Sequence, residues 1–215
     1  MNKAVIFDLD GTILDTLKDI SENVNLMLEH FGYPQLDDRE IMQYIGHGAR
    51  HLVKCSIKKA LSEKELDQKL EYYNKIYTAS ASEKTQVFSG LKEVFPSLKQ
   101  KGYKLAILTN KPQMTTDKVC QKYLKDFGFN LVVGQKSGVP IKPDPTAVFD
   151  MLNKMSVSAE NTYFIGDGET DVMTAINAGV KGIAVLWGYR GKWQLEQAGA
   201  TVFANIPQDL LKLIN

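Results

Sequence analysis

Two hydrophobic periods share this chain, and the places where one gives way to the other outline its architecture. Ala4-Val5-Ile6-Phe7 is apolar throughout and runs straight into Asp8. Such an unbroken run suits a strand buried on both faces, as in a parallel sheet. The period then lengthens. Leu17, Ile20, Val24, Leu28 and Phe31 recur at helical spacing, and Gly32 and Pro34 end that helix. Asp37 or Asp38 can cap a short helix carrying Ile41 and Ile45, and Gly46-His47-Gly48-Ala49-Arg50 turns into a helix with Leu52, Val53, Ile57 and Leu61. Ser62 and Glu65 have capping-box spacing, and Leu66, Leu70, Tyr73 and Tyr77 continue that helix. Residues 16–84 thus read as successive helices. They end in Ser80-Ala81-Ser82-Glu83-Lys84-Thr85, small and polar like a linker.

Beyond Gly90, strands and helices alternate. Residues 91–101 predict a helix, and 105–109 an apolar strand ending at Asn110-Lys111-Pro112. A helix to about residue 125 and a short strand over 129–133 follow. Asp144 and Pro145 suggest an N-cap and first-turn proline for a helix bearing Val148, Met151, Leu152 and Met155. Residues 162–165 predict a buried strand ending at Gly166-Asp167-Gly168, with a helix that stops at Gly179. Strands over 182–187 and 201–203 and a helix from Pro207 complete the pattern. Trp187, Tyr189 and Trp193 are expected beside the last strands. Alternation of this kind argues for an α/β fold with a doubly wound, largely parallel Rossmann-like sheet. The first strand belongs to it, so the helical block is an insertion. The expected division is a core of residues 1–15 and 85–215 and an inserted all-helical domain of residues 16–84.

Composition narrows the function classes. The chain has 215 residues and a net charge of +1, so bulk charge attracts neither nucleic acid nor a membrane surface. No apolar stretch is long enough to span a bilayer. The first apolar run is too short for a leader's hydrophobic segment. Cys55 and Cys120 are far apart and in no metal-like spacing, which suits reduced thiols in a cytoplasmic protein.

Polar groups gather at the predicted strand ends: Asp8 and Asp10, Thr109 and Asn110, Lys142 before Pro143, and Asp167 with Asp171. In open α/β sheets, ligands bind at the carboxyl ends of strands. Asp8 and Asp10 repel one another there, and Mg²⁺, which prefers hard oxygen ligands, would relieve that repulsion. Asp167 and Asp171 are four apart and can face one ion. Each residue also has a plainer reading. Asp8 could start a turn, with Gly11 at positive φ and Thr12 capping the next helix; Asp171 could be a helix N-terminal charge; Lys142 could be a solvated loop cation.

Taken together, these segments resemble the haloacid dehalogenase superfamily of aspartate-nucleophile phosphatases over the whole chain. Asp8-Leu9-Asp10-Gly11-Thr12 is similar to its first motif, Leu108-Thr109-Asn110 to its second, Lys142-Pro143-Asp144-Pro145 to its third, and Gly166-Asp167-Gly168-Glu169-Thr170-Asp171 to its fourth. The helical insertion resembles the family's cap domain. The resemblance implies a nucleophile at Asp8, an acid and base at Asp10, and phosphoryl contacts from Thr109, Asn110 and Lys142. It implies Mg²⁺ on Asp8, the Asp10 main chain, Asp167 and Asp171. The second aspartate favours phosphoryl chemistry over carbon–halogen cleavage.

Thr109-Asn110-Lys111-Pro112 and the Gly46–Arg50 loop resemble phosphoglycolate phosphatases. The implied substrate is a small phosphorylated metabolite, 2-phosphoglycolate first. Gly48 would present a backbone N–H and Arg50 would grip the carboxylate. Lys54 and Lys58 extend the same basic helix face. The alternatives are the same chemistry on pyrophosphate, a nucleotide or a sugar phosphate, and a β-phosphoglucomutase-like phosphomutase. A non-catalytic nucleotide- or partner-binding protein is a further alternative, although the phosphate-binding Gly-x-x-x-x-Gly-Lys and Gly-x-Gly-x-x-Gly patterns are absent. A monomer or weak dimer is expected.

Overall fold

The computed structural model of the chain describes residues 2–80 and 82–215; Ala81, within the predicted linker, lies outside the described residues. The chain opens with β1 (Lys3–Phe7) and a two-residue strand β2 (Leu14–Asp15). Four helices follow: α1 (Leu17–His30), α2 (Asp38–Tyr44), α3 (Ala49–Ile57) and α4 (Glu63–Ala79). The chain returns through β3 (Gln86–Val87) to α5 (Leu91–Gln100), β4 (Tyr103–Pro112), α6 (Gln113–Tyr123), β5 (Leu131–Gln135) and α7 (Thr146–Met155). It closes with β6 (Thr162–Gly166), α8 (Glu169–Ala178), β7 (Lys181–Val185), α9 (Lys192–Gln197), β8 (Phe203–Ala204) and α10 (Leu210–Leu213).

The main sheet has six strands in the order β5-β4-β1-β6-β7-β8, and neighbours pair in parallel. β1 lies in the middle, with Ile6 opposite Ala106 on one side and Phe164 on the other. Alternate residues of β1 face opposite ways. Val5 and Phe7 enter one core with Leu91, Val94, Phe95 and Leu98 of α5. Ala4 and Ile6 enter another with Val148, Met151, Leu152 and Met155 of α7. Both faces are therefore covered, which is why β1 reads as a continuous apolar run. A fully buried side chain of this size contributes about 1.5–3 kcal/mol. That burial holds β1 rigid at the point where the chemistry begins.

The inserted helices have a core of their own. Ile20, Val24, Met27 and Leu28 of α1 meet Ile41, Leu52, Val53, Leu66, Tyr73 and Tyr77. Their starts follow the sequence signals. The Asp37 side chain accepts from Glu40 N at 2.8 Å. Ser62 and Glu65 cap each other, with Ser62 N donating at 2.8 Å and Glu65 N donating back to Ser62 Oγ at 3.3 Å.

Several boundaries differ from expectation. β4 continues through Pro112, while β5 starts at Leu131. Phe129 instead packs edge-on to Phe95 at 5.3 Å, and Asn130 Oδ1 accepts from Leu105 N at 3.0 Å. The Asp144 side chain accepts from Thr146 N at 2.9 Å, so α7 begins after Pro145 rather than at it. β7 stops at Val185 and β8 begins at Phe203. α9 and the antiparallel β2–β3 pairing were not foreseen. Trp193 is 70% exposed and so does not pack as expected. Among the described residues, no helix is long and apolar enough to cross a membrane.

Candidate active site

Asp8 extends the β1 ladder by donating its N–H to Ile165 O at 2.8 Å. β4 lies to one side of β1 and β6 to the other, so Asp8 sits at the switch point of the sheet. Asp167 follows β6, and Asp171 lies in the first turn of α8. Carboxylate oxygens of Asp8, Asp167 and Asp171 lie within 4.8 Å of one another, and all three residues are buried. The backbone is shaped to admit them. Gly11 has φ +85°, and a Cβ there would lie 2.3 Å from Asp167 Oδ2. A Cβ on Gly166 would come within 2.2 Å of the Asp171 Cβ. Thr12 Oγ1 and Tyr189 N each donate to Asp167 at 2.8 Å, and Gly168 N donates to Asp171 Oδ2 at 2.9 Å. Thr12 therefore orients a site carboxylate instead of capping the next helix.

The electrostatics reflect crowding in a dry place. Burial pushes Asp8 up to about 8, opposed by Lys142 and reinforced by Asp171 and Asp167. Burial, with the Asp171 charge, raises Asp167 to about 7. Lys142 Nζ bridges the group, donating to Asp8 Oδ1 at 2.7 Å and to Asp171 Oδ1 at 2.6 Å. Burial disfavours its charge, but Asp171 and Asp8 outweigh that and hold its pKa above the ordinary lysine value. Asp8 and Asp167, raised by burial and by neighbouring charge, join Asp171 in a set of hard oxygen donors of the kind that a small divalent cation such as Mg²⁺ relieves. The residues therefore fit the ion.

Asp10 points away from that cluster. Its carboxylate accepts from Lys111 Nζ at 2.9 and 3.0 Å and from Thr16 Oγ1 at 2.8 Å. Lys111 was not singled out from sequence, yet it is buried and donates to Tyr77 OH at 2.7 Å. Thr109 is buried beside it, and its Oγ1 accepts from Lys111 N at 3.2 Å. The Asn110 carboxamide is a structural tie. Its Nδ2 donates to Gly46 O at 2.9 Å and Lys142 O at 3.0 Å, and its Oδ1 accepts from Lys142 N at 2.9 Å. That side chain is thus engaged with the protein, and only the main chain of Asn110 is left for a ligand. Asp8, Asp10, Thr109, Lys111, Gly48, Tyr73 and Tyr77 line a cavity of about 40 Å³ between sheet and cap.

Comparison with known proteins bears on this arrangement. The sequence profile described as haloacid dehalogenase-like hydrolase matches residues 5–185. This chain belongs to the haloacid dehalogenase-like hydrolase family. The phosphoglycolate phosphatase 1 of Pseudomonas aeruginosa is 31% identical over 215 residues, covering 97% of this chain and 78% of that protein. The phosphoglycolate phosphatase of Haemophilus influenzae is 31% identical over 194 residues, 87% of each. A solved structure from Lactobacillus delbrueckii subsp. bulgaricus superposes with a TM-score of 0.90 at 30% identity, covering 100% of this chain and 99% of that one.

In this haloacid dehalogenase-like hydrolase, the cap is drawn onto the core by a residue that sequence reasoning missed. The Arg190 guanidinium donates to Met42 O at 3.0 Å, Gln43 O at 3.1 Å and Ile45 O at 2.8 Å, while pairing with Glu169 at 3.0 Å. Tyr189 OH accepts from Thr16 N at 2.9 Å, and Trp187 Nε1 donates to Thr12 O at 3.0 Å. Trp187 and Tyr189 thus reach the segment between β1 and α1, beyond the last strands. Arg50, expected at the substrate, is placed apart from the other site residues. It pairs with Glu63 and Asp67 and does not line the cavity. Lys58 likewise pairs with Glu40. Arg50 on α3 and Lys58 just after it are thus each paired with acidic neighbours among the inserted helices.

Proposed function

We propose that this hydrolase cleaves the phosphate ester of a small acidic metabolite, 2-phosphoglycolate being the preferred one. The carrying observation is the buried Asp8–Asp167–Asp171 cluster bridged by Lys142 at the switch point, with Asp10 beside it under the cap. The Asp8 carboxylate attacks phosphorus, and the bond from phosphorus to the ester oxygen breaks. Asp10 gives its proton to that leaving oxygen. Water then attacks the aspartyl-phosphate, Asp10 takes a proton from it, and phosphate leaves with Asp8 restored. Lys142 and Thr109 hold the phosphoryl oxygens where charge spreads in the transition state. Mg²⁺ bound by Asp8, Asp167, Asp171 and the Asp10 main chain would keep the carboxylates ionised and offset their repulsion of the phosphate. Residues 16–84 act as the cap that excludes bulk water.

A cavity of about 40 Å³ has room for only a few water-sized groups, which favours a small leaving group over a hexose or nucleoside. Homology to phosphoglycolate phosphatases supports the same choice. The free thiols Cys55 and Cys120 suit a reducing, cytoplasmic setting. The test is phosphate release, with Mg²⁺ or EDTA, across 2-phosphoglycolate, pyrophosphate, nucleoside monophosphates and hexose phosphates. The highest kcat/KM is expected for 2-phosphoglycolate, with none in EDTA. Equal or greater activity on a hexose phosphate would defeat the substrate assignment, and no release from any compound would defeat the hydrolytic one.

A further inference from the structure

We propose that Lys111, Tyr77 and Tyr73 form the subsite for the leaving-group end of the substrate, and that this subsite binds a carboxylate. The inference rests on the reading above, in which Asp8 takes the phosphoryl group and the substrate is a small acid. It assigns to these residues the part that sequence spacing had suggested for Arg50.

Position comes first. Lys111 Nζ touches Asp10, the group that meets the leaving oxygen, and it lines the same cavity as Asp8. Whatever is attached to that oxygen therefore lies toward Lys111 and the cap helix α4. Tyr73 and Tyr77 descend from α4 one helical turn apart, with ring centroids 5.6 Å apart, and both line the cavity.

The donors come next. Tyr77 OH accepts from Lys111, which leaves its own O–H to donate; it makes no other hydrogen bond among the described residues. Tyr73 is only 2% exposed, and its hydroxyl makes no hydrogen bond among the described residues, although it lines the cavity. Two phenolic O–H groups that donate to no described protein atom, both on the cavity wall near a buried ammonium, leave room for an incoming acceptor. Burial raises both phenols well above the ordinary tyrosine value, so they stay protonated donors. One cation and two O–H donors match the oxygens of a carboxylate. The surrounding walls, Ile20, Ile45 and Leu52, offer nothing polar in competition.

The test uses the full chain with Mg²⁺ and two substrates, 2-phosphoglycolate and 2-hydroxyethyl phosphate, in which a CH₂OH replaces the carboxylate. The readout is the ratio of their kcat/KM values. Wild type is expected to favour the acid. Lys111→Gln should lower the ratio roughly 10- to 100-fold, the range of a charge-assisted hydrogen bond, mainly through KM for the acid. Lys111→Arg should recover part of it. Tyr73→Phe and Tyr77→Phe, which keep the ring, should each lower it about threefold to tenfold. If Lys111 only steadies Asp10, both substrates lose activity equally and the ratio stands, which overturns the subsite. Should Lys111→Gln fail to fold, an unchanged ratio in the Tyr73→Phe/Tyr77→Phe double variant overturns it as well. Absence of any preference in wild type would overturn the acidic-substrate reading itself, and the subsite with it. Preference in wild type that survives in the variants would leave that reading intact and remove the subsite alone.

Discussion

Replacing Asp8 with asparagine should stabilise the metal-free protein while abolishing turnover. Asp8 titrates near 8 in the fold, against 3.8 for a free side chain. Between those values the folded chain keeps a proton that the unfolded chain has released. Stability is therefore fully present below about pH 4 and declines as pH rises toward 8. At 1.36 kcal/mol for each pH unit, Asp8 alone removes about 5 kcal/mol by pH 8. Asp167, raised to about 7, acts in the same direction. The attraction of Lys142 is already contained in the Asp8 value; the asparagine has no charge to bury but is a weaker, neutral acceptor for Lys142, which costs about 1–2 kcal/mol. A net gain of about 3 kcal/mol at pH 8 in EDTA corresponds to roughly 6–12 °C in Tm for a chain of this size. Thermal unfolding of wild type and Asp8→Asn, followed by circular dichroism from pH 5 to pH 9 in EDTA, reads this out. The gap between the two curves should shrink steadily from pH 8 to pH 5 and close only near pH 4, where the unfolded chain takes up the proton as well. Excess Mg²⁺ at pH 8 should raise wild type more than the variant, because the variant has lost a ligand. A wild-type Tm that holds or rises from pH 5 to pH 8 in EDTA would refute the reasoning, as would a variant no more stable than wild type at pH 8.

Other substitutions probe the cap and its ties. Arg190→Ala removes three contacts to cap carbonyls and the Glu169 pair; kcat/KM should fall about tenfold or more, with a larger radius of gyration in solution scattering. Arg190→Lys should rescue little, since an ammonium cannot reproduce the guanidinium fork. Arg50→Ala breaks only half-exposed cap pairs, so KM for 2-phosphoglycolate should change less than twofold and stability by less than about 1 kcal/mol. A selective tenfold rise in that KM would return Arg50 to the site. Asn110→Ala unties Lys142 and Gly46, and kcat should fall about 10- to 100-fold with the Lys142 loop loosened in hydrogen exchange.

The sheet and the carboxylate cluster were legible because each depends on local signals. Apolar runs that stop at Asp8, Thr109 and Asp167 mark strand ends, and parallel topology brings those ends together. Cap helix starts at Asp37 and Ser62 were legible for the same reason. The pairing of Arg50 was not legible because helical spacing compares it only with its own helix, whereas Glu63 and Asp67 arrive from the next one. Lys111 stood in the Thr109–Pro112 pattern without a role of its own, because a lysine at a strand end resembles a solvated residue; only the fold shows it buried on Asp10. Arg190 lies more than a hundred residues from the carbonyls it holds, so no pattern along the chain announces it. Two-residue strands such as β2 and β3 are too short to have a period at all.

That small ribbon has a consequence for how such proteins diversify. Leu14 faces Val87 and Asp15 faces Gln86, so the chain leaves the sheet layer and comes back to it about 4.8 Å apart, one strand spacing. To the catalytic sheet, everything between these strands amounts to a hairpin loop, whatever its length. The intervening helices can be shortened, lengthened or exchanged for those of a relative, with the junction kept at this ribbon and the sheet register undisturbed. Whatever the inserted helices contribute to the cavity, such as Tyr73 and Tyr77, can thereby be exchanged as a cassette while Asp8 and its neighbours stay where they are.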